Sequence, residues 1–338
     1  MYRIILSFLM ITGLLVSTQN YTYAAGDSQA TGDSESINQS IPTLRISGPN
    51  RYDTNLAFSS IVCDGCLESV ILASGENFPD ALSGSVLTKT LQGSILLVED
   101  NEQVLKKMIT EAKRILKPDG EVYYLGGPSA ISPNVISEFE KHFSVTGIFG
   151  KDRTATSLKI ASMVDIPPTE VFLVYGGNFA DALSIAPVSE KNQIPVLLNN
   201  DKETLDPRIE KWLNENSVKD VTIVGGESVV STKIEKHLEG KGLAVTRIAG
   251  KNRFETSLKI AESYYPPEYT QHAALANGYS FADALSGSVF SGEFDIPILL
   301  SYKDHLPDGY VPYLNKKDRI YFYGGEAVIY RDILKNGN

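Results

Sequence analysis

The sequence contains one set of residue blocks three times over, and this repetition constrains the fold more than any other feature. The blocks are Gly-x-Asn/Asp-Arg-x-x-Thr, Phe-x-Asp-Ala-Leu-Ser, an apolar run with Leu-Leu, and a strand-like run ending in Gly-Gly. They keep the same order each time, and the repeated Arg51, Arg153 and Arg253 are 102 and 100 residues apart. Self-similarity of this kind indicates three copies of one folding unit.

Within each unit, short apolar runs alternate with helical patterns. In the second unit we predict strands at 147–149, 171–175, 195–198 and 221–224, and helices at 153–163, 180–189, 207–215 and 232–238. Strands separated by helices of about ten residues indicate parallel βαβ crossovers. We therefore expect an α/β protein of three tandem Rossmann-like parallel-sheet domains, packed without linkers, at residues 43–144, 145–244 and 245–338.

The N-terminus has the pattern of an export signal. Arg3 precedes an apolar run at 4–16, and Thr22 and Ala24 fit a cleavage site, so residues 1–24 are predicted to be a signal peptide. The alternative is a membrane anchor, but the run is shorter than the ~20 residues that a spanning helix needs. Residues 25–42 are predicted to be a flexible spacer. We expect a secreted protein at the cell wall or cell surface, with no membrane span in the mature chain.

The charge balance limits the partners. The chain has a net charge of −10, and loss of the signal peptide, with Arg3 as its sole charged residue, leaves −11. A chain this acidic is not expected to bind nucleic acid or an anionic polymer through its net charge. An anionic ligand must be held by local basic groups, by backbone amides or by a bridging cation.

The two cysteines, Cys63 and Cys66, occur in the first unit alone. In an exported protein they are expected to form a local disulfide or to remain inert thiols. A redox function is disfavoured, because a redox pair normally opens a helix whereas this pair follows one.

The repeated arginines are predicted to occupy unfavourable positions. Asn50, Asp152 and Asn252 resemble helix N-caps, which places each following arginine in a first turn where the helix dipole disfavours a cation by about 0.3–1 kcal/mol. Two kinds of compensating partner remain open. One is an anionic group of a polymer, and the other is the aspartate of the same unit, which would give the pairs Arg51–Asp80, Arg153–Asp181 and Arg253–Asp283.

Glycines mark two kinds of turn at the ends of strands. Gly75, Gly176 and Gly278 lie five residues before the repeated aspartates, in strand-to-helix turns of the type where α/β sheets bind ligands. Glycine pairs end the last strand of each unit, where backbone amides ahead of a helix could hold an anion. The pairs are Gly126 and Gly127, Gly225 and Gly226, and Gly324 and Gly325.

No pattern for catalysis appears. The sequence has no His-Glu-x-x-His, Gly-x-Ser-x-Gly or phosphate-binding glycine loop, so we expect no enzyme activity, no cofactor and no metal site. A triplicated arginine and aspartate suits multivalent binding better than a single active site.

Taken together, the four blocks resemble the cell-wall-binding repeat type 2 family from Thr43 to the C-terminus. The resemblance implies an intramolecular pseudo-trimer and non-covalent attachment to an anionic secondary cell-wall polysaccharide of Gram-positive bacteria. The candidate contact residues are the repeated arginines Arg51, Arg153 and Arg253, the aspartates Asp80, Asp181 and Asp283, and the six glycines of the pairs.

In the family the triplet often accompanies a separate effector domain, whereas here the repeats occupy the sequence after the spacer. We therefore expect an anchoring module alone or a minimal surface-layer component. One alternative is a structural surface-layer protein that contacts other surface-layer proteins. A weaker alternative is part of a wall-lytic amidase. Ser94 and Tyr330 depart from the repeat pattern, so the three units are expected to be unequal.

Overall fold

The structure is a computed structural model that describes residues 36–77, 80–165 and 167–335. The predicted signal peptide, residues 25–35 of the predicted spacer, and Phe78 of the first Phe-x-Asp-Ala-Leu-Ser block lie outside these residues.

Each repeat alternates strands with helices. Repeat 1 contains β1 (Thr43–Ile46), α1 (Arg51–Ser59), β2 (Leu67–Ser74), a 3₁₀ turn (Ala81–Ser83), α2 (Ser85–Thr90), β3 (Gly93–Val98), α3 (Glu102–Ile115), β4 (Leu116–Leu125) and α4 (Pro133–Glu140). Repeat 2 contains β5 (Val145–Ile148), α5 (Arg153–Ala161), β6 (Glu170–Tyr175), α6 (Ala180–Asn192), β7 (Val196–Asn199), α7 (Pro207–Glu215), β8 (Asp220–Val224) and α8 (Thr232–Gly240). Repeat 3 contains β9 (Ala244–Ile248), α9 (Arg253–Tyr264), β10 (His272–Asn277), α10 (Ala282–Glu293), β11 (Ile298–Ser301), α11 (Tyr310–Leu314), β12 (Arg319–Tyr323) and a 3₁₀ turn (Arg331–Leu334).

The strands form three parallel four-stranded sheets, which confirms the predicted α/β class. The strand orders are β3-β2-β4-β5, β7-β6-β8-β9 and β11-β10-β12-β1. The central strands are nearly continuous apolar runs because helices cover both faces, as in β6, where residues 171–174 are all buried. In each sheet the chain adds one strand on one side of the first central strand and the next strand on its other side, as with β3 and β4 on either side of β2. The strand order therefore reverses between β2 and β4 and at the matching places in the other sheets, and α/β folds commonly bind ligands at such a point.

The outer strand of every sheet belongs to the next repeat. β5 pairs with β4, and β9 pairs with β8. At the end of the chain β1 returns to pair with β12, in a register that joins Thr43 to Ile320 and Ile46 to Tyr323. The predicted boundaries at 144/145 and 244/245 therefore separate sequence repeats and not sheets. Strand exchange makes the three units a closed ring.

The last residues of the predicted spacer pack on repeat 3. Ile37 is 3% exposed, and the backbone N–H of Asn38 donates to Oδ1 of Asn315 over 2.7 Å. Residues 36–42 are therefore not a flexible spacer, because burial of Ile37 and this hydrogen bond fix the segment that leads into β1.

The helices that begin with the repeated Ala-Leu-Ser segments pack together at the centre. α6 contacts both α2 and α10, and residues 180–190 of α6 are all buried. Small residues permit the close approach: a Cβ at Gly287 of α10 would lie 2.4 Å from the ring of Tyr323. This arrangement confirms the predicted intramolecular pseudo-trimer.

The first helices of repeats 1 and 3 also cross a junction. α1 contacts β3 of its own repeat and α10 of repeat 3, where Phe58 meets Tyr323 edge-on at 4.8 Å between ring centroids. In the same way Tyr264 of α9 meets Phe172 of repeat 2 at 5.9 Å. In these two repeats the opening strand and helix therefore complete the core of the neighbouring repeat.

The two cysteines are joined in a disulfide between Cys63 and Cys66, whose Cα atoms are 5.6 Å apart. The link closes the turn between α1 and β2 in repeat 1. It lies outside the repeated blocks.

Because β1 closes the ring, removing it is expected to weaken the whole molecule. A chain that begins at Ser47 loses the pairing with β12 and the buried Ile46, which is 8% exposed. We expect the free energy of unfolding to fall by more than about 3 kcal/mol relative to a chain that begins at Ser36. Urea denaturation measures this difference, and equal midpoints for the two chains would refute the closing role of β1.

A carboxyl group is buried where α2, α6 and α10 meet. Glu190 is 2% exposed, and its Oε2 has no hydrogen-bond partner among the described residues. A Cβ at Gly292 of α10 would collide with this oxygen. Burial raises the pKa of Glu190 to about 8, while Lys89 lowers it and Glu293 raises it further.

Glu190 is expected to make stability fall with rising pH. Between about pH 4.5 and pH 8 the unfolded chain ionises this residue while the native chain keeps it protonated, so the free energy of unfolding decreases through that interval. Glu190→Gln removes the titration and is expected to be more stable than the parent at pH 8 by more than about 1 kcal/mol. Thermal unfolding from pH 4 to pH 9 tests this, and parallel profiles would contradict it.

Candidate functional site

The candidate site is triplicated and lies at the carboxyl ends of the strands, beside the junctions between repeats. Asn50, Asp152 and Asn252 cap α1, α5 and α9 through side-chain oxygens that accept backbone N–H groups. The predicted caps are confirmed. Each repeated arginine is therefore the first residue of its helix.

A backbone carbonyl holds each arginine. Nη1 of Arg51 donates to the carbonyl of Gly75, and Nη1 of Arg253 donates to that of Gly278 over 2.6 Å. In repeat 2, Nη1 of Arg153 donates to the carbonyl of Gly176 over 2.5 Å. Sequence reasoning found these glycines as turn residues but did not identify their carbonyls as acceptors.

The arginine–aspartate pairs expected within each repeat are not formed. Across the described residues, none of the three arginines has a carboxylate within ion-pair distance. The prediction of an aspartate partner within the same repeat is therefore wrong for Arg51–Asp80, Arg153–Asp181 and Arg253–Asp283. In repeats 1 and 3 the first helix lies against the aspartate-bearing helix of the preceding repeat in the ring, α1 against α10 and α9 against α6.

Arg51 and Arg253 face the neighbouring repeat instead. Arg51 lies 5.8 Å from the ring centroid of Phe281 in repeat 3, and Arg253 lies 5.7 Å from that of Phe179 in repeat 2. Asp283 and Asp181, which follow these phenylalanines by two residues, therefore interact with arginines of the next repeat in the ring.

The aspartates lie below the surface. Asp181 is 8% exposed and Asp283 is 6% exposed. Burial raises the pKa of Asp181 to about 6, against the lowering effect of Arg253. Burial also raises the pKa of Asp283, which is lowered by a hydrogen bond from Thr54 and by Arg51. Thr54 in turn accepts the backbone N–H of Gly48, so Asp283 is tied to the opening loop of repeat 1.

The first glycine of each pair is required by its conformation and by its aspartate. Gly225 has a φ of +121°, and a Cβ there would lie 2.8 Å from Oδ2 of Asp181. Gly126 and Gly324 show the same combination with Asp80 and Asp283. The structure thus brings the glycine pairs and the aspartates together.

The glycine pairs do not precede a helix directly. The backbone N–H of Gly225 donates to Ile248, and the carbonyl of Gly226 accepts from Val229 and Val230 in a tight turn. α8 begins only at Thr232. The turn separates these glycines from the helix dipole, so an anion at the pairs would be held by backbone amides without that dipole, and the anion site stays a prediction.

Sequence reasoning missed two further arginines at the glycine turns. Nη1 of Arg45 donates to the carbonyl of Gly324 over 2.6 Å, and Nη1 of Arg247 donates to that of Gly225 over 2.8 Å. Their shared position, six residues before the repeated arginine, was the available signal. Gly147 occupies the matching position in repeat 2.

Within the described residues, no three His, Cys, Asp or Glu side chains form a group that could hold a metal ion. None of the helices in that part of the chain is long and apolar enough to cross a bilayer.

Gly225→Ala is expected to destabilise the protein, because alanine is strained at this φ and its Cβ crowds Asp181. We expect a loss of about 1–3 kcal/mol in the free energy of unfolding. Gly240→Ala is the matched control, since a Cβ there meets nothing within 4 Å. Urea denaturation of both variants measures the difference, and equal stabilities would contradict the requirement for glycine.

Several known proteins are similar to this chain in sequence or in fold. N-acetylmuramoyl-L-alanine amidase LytC of Bacillus subtilis (strain 168) is 30% identical over 160 residues, which cover 47% of this chain and 32% of the amidase. Cwp8 from Clostridium difficile superposes with a TM-score of 0.78 at 25% identity, covering 88% of this chain and 52% of that one. Cwp6 from Clostridium difficile gives the same TM-score at 21% identity, covering 96% of this chain and 52% of that one.

The chain thus spans about half the length of these solved structures and about a third of the amidase. The family described as cell wall binding domain 2 (CWB2) matches residues 45–136, 148–235 and 247–334, which is most of the chain. Three tandem matches, on three copies of one strand-exchanged sheet, show that this chain belongs to the cell wall binding domain 2 family.

Proposed function

We propose that this chain attaches non-covalently to the Gram-positive cell wall by binding an anionic secondary cell-wall polysaccharide, and that it does so without catalysis. Cell wall binding is the general function of its family. The polymer, the contact residues, export through residues 1–24 and location at the cell surface are the proposed parts.

The observation that carries the proposal is the environment of the repeated arginines. Each guanidinium is fixed by a neutral glycine carbonyl, and no carboxylate neutralises it at ion-pair distance among the described residues. Arg51 is exposed, and Arg153 and Arg253 are half-exposed. Their remaining N–H groups are suited to bind carboxylate or phosphate substituents of a polymer.

The buried aspartates and the glycine pairs fix the backbone around the site. The buried Asp181 and Asp283 orient the opening loop and the glycine turn, and we assign both, with Asp80 as their counterpart, a positioning role. The backbone N–H of the first glycine in each pair donates to a carbonyl of the adjacent strand. The second amides, at Gly127, Gly226 and Gly325, are the ones we assign to the polymer.

Three sites on one rigid ring suit a polymeric ligand. The chain carries a net charge of −10, so bulk attraction to an anionic polymer is absent and each contact must be local. Weak contacts at three junctions combine through a high effective concentration once one site is occupied.

The similarity to an amidase covers a third of that protein, so its activity does not transfer to this chain. The alternative of a surface-layer component that contacts other proteins predicts binding that depends on self-assembly. It is tested by the same experiment.

The test is co-sedimentation of the chain with purified walls, before and after chemical removal of the anionic polymer. We expect pelleting with intact walls and recovery in the supernatant after the polymer is removed. Replacing Arg51, Arg153 and Arg253 with Gln is expected to weaken binding at least about tenfold, since each lost charged hydrogen bond contributes about 1.5–3 kcal/mol.

The matched control replaces one exposed lysine per repeat, Lys106, Lys211 and Lys316, with Gln, which changes the net charge equally. It should bind as the parent does. Thermal unfolding of both triple variants separates a folding defect from a loss of ligand contact. Equal pelleting before and after polymer removal would refute the polysaccharide as the ligand.

A further inference from the structure

The three junction sites differ at two positions that border the repeated arginine. The residue after the arginine-binding glycine is Glu76 in repeat 1, Gly177 in repeat 2 and Tyr279 in repeat 3. Two residues after the Leu-Leu run, the chain has Glu99, Asn200 and Tyr302 in the same order. Repeat 3 thus carries aromatic rings where repeat 1 carries carboxylates.

In repeat 3 these rings form a continuous surface. Tyr279 follows β10 and Tyr302 follows the adjacent β11, and their ring centroids are 6.1 Å apart. His305 stacks on Tyr302 at 4.1 Å with an interplanar angle of 17°. We call Tyr279, Tyr302 and His305 the aromatic platform.

The platform is supported from below and open above. Phe254, which is 3% exposed, lies 4.1 Å from Tyr302 and 5.9 Å from Tyr279 between ring centroids. The backbone N–H of Tyr279 donates to Oδ1 of Asn277 over 2.7 Å, which fixes the loop. Yet Tyr279 remains 62% exposed. A pre-ordered, exposed tyrosine surface is typical of an interaction site.

A positive charge borders the platform. The guanidinium of Arg253 lies 5.1 Å from the ring centroid of Tyr279, while its Nη1 is held by Gly278. Asp304 lies beside the platform, but it is paired with Nδ1 of His305 at 2.7 Å. Aromatic faces next to a fixed guanidinium are complementary to a sugar ring that carries an acidic substituent.

The matching surface of repeat 1 has the opposite character. There Tyr52 replaces Phe254, and it is hydrogen-bonded to Glu99, with Glu76 also close enough to raise its pKa. Glu99 and Glu76 thus place two carboxylates around Tyr52, the residue after Arg51, and make this surface less favourable for an anion. In repeat 2, Thr154 donates to the carbonyl of Leu198, and no ring occupies the two positions.

We propose that the aromatic platform of repeat 3 is the principal sugar-binding subsite of the chain, with a sugar ring of the anionic polymer stacked on Tyr279 and its acidic group bound by Arg253. The inference rests on the proposed attachment to that polymer. It makes the three sites unequal: repeat 3 binds most strongly, and repeat 1 contributes least.

The test measures wall binding of the whole chain as a function of protein concentration, by co-sedimentation with walls that retain the anionic polymer. Tyr279→Ala is expected to weaken binding about five- to tenfold. Tyr279→Phe keeps the ring and should stay within about twofold of the parent, as should Tyr269→Ala, which removes a tyrosine that is 87% exposed elsewhere. All three should unfold at the parent temperature.

The outcomes separate the two proposals. If the parent binds and the triple arginine variant does not, but Tyr279→Ala binds as the parent does, the platform is refuted and polymer attachment stands. If the parent does not pellet with walls, both fail. If Tyr279→Ala changes the mass of the particle in light scattering, Tyr279 serves contact between copies of the chain, and the sugar subsite is refuted.

Discussion

The structure depends on one exchange: the first strand of each repeat is hydrogen-bonded into the sheet of the preceding repeat. β5 and β9 make this exchange along the chain, and β1 makes it across the ends by pairing with β12. No sheet is complete within its own repeat. The stability of each unit is therefore coupled to that of its neighbour, and the three sheets form one ring rather than three independent domains.

The exchange also decides where the candidate site lies. Because the opening strand crosses to the neighbouring sheet, the helix that follows it carries its arginine to the junction. There the arginine meets the carbonyl of its own strand-end glycine and the phenylalanine of another repeat. For Arg253, the aspartate of its own repeat, Asp283, is instead buried beside the glycine turn at Gly324. A positive charge is thus left at the surface of an acidic protein.

The three junction sites of the ring differ in their side chains. The backbone repeats closely, but the two positions beside the arginine differ. They hold carboxylates in repeat 1, a glycine and an asparagine in repeat 2, and tyrosines in repeat 3. Side chains at exposed turns do not affect the shared core, so they are free to diverge between repeats. A polymer that touches all three junctions would therefore meet three different surfaces.

The sequence alone determined the repeat, the α/β class, the N-caps and the position of the arginines, because these follow from local spacing and hydrophobic pattern. The proximity of Asp181 to Gly225 was decided by the tertiary structure, because each follows a different strand of one sheet. The partner of Arg253 was decided only by the tertiary structure. Which repeat supplies a strand or a neighbouring ring depends on contacts between residues far apart in the chain. Three units with the same order of blocks offer the same local pattern whichever sheet the strand joins.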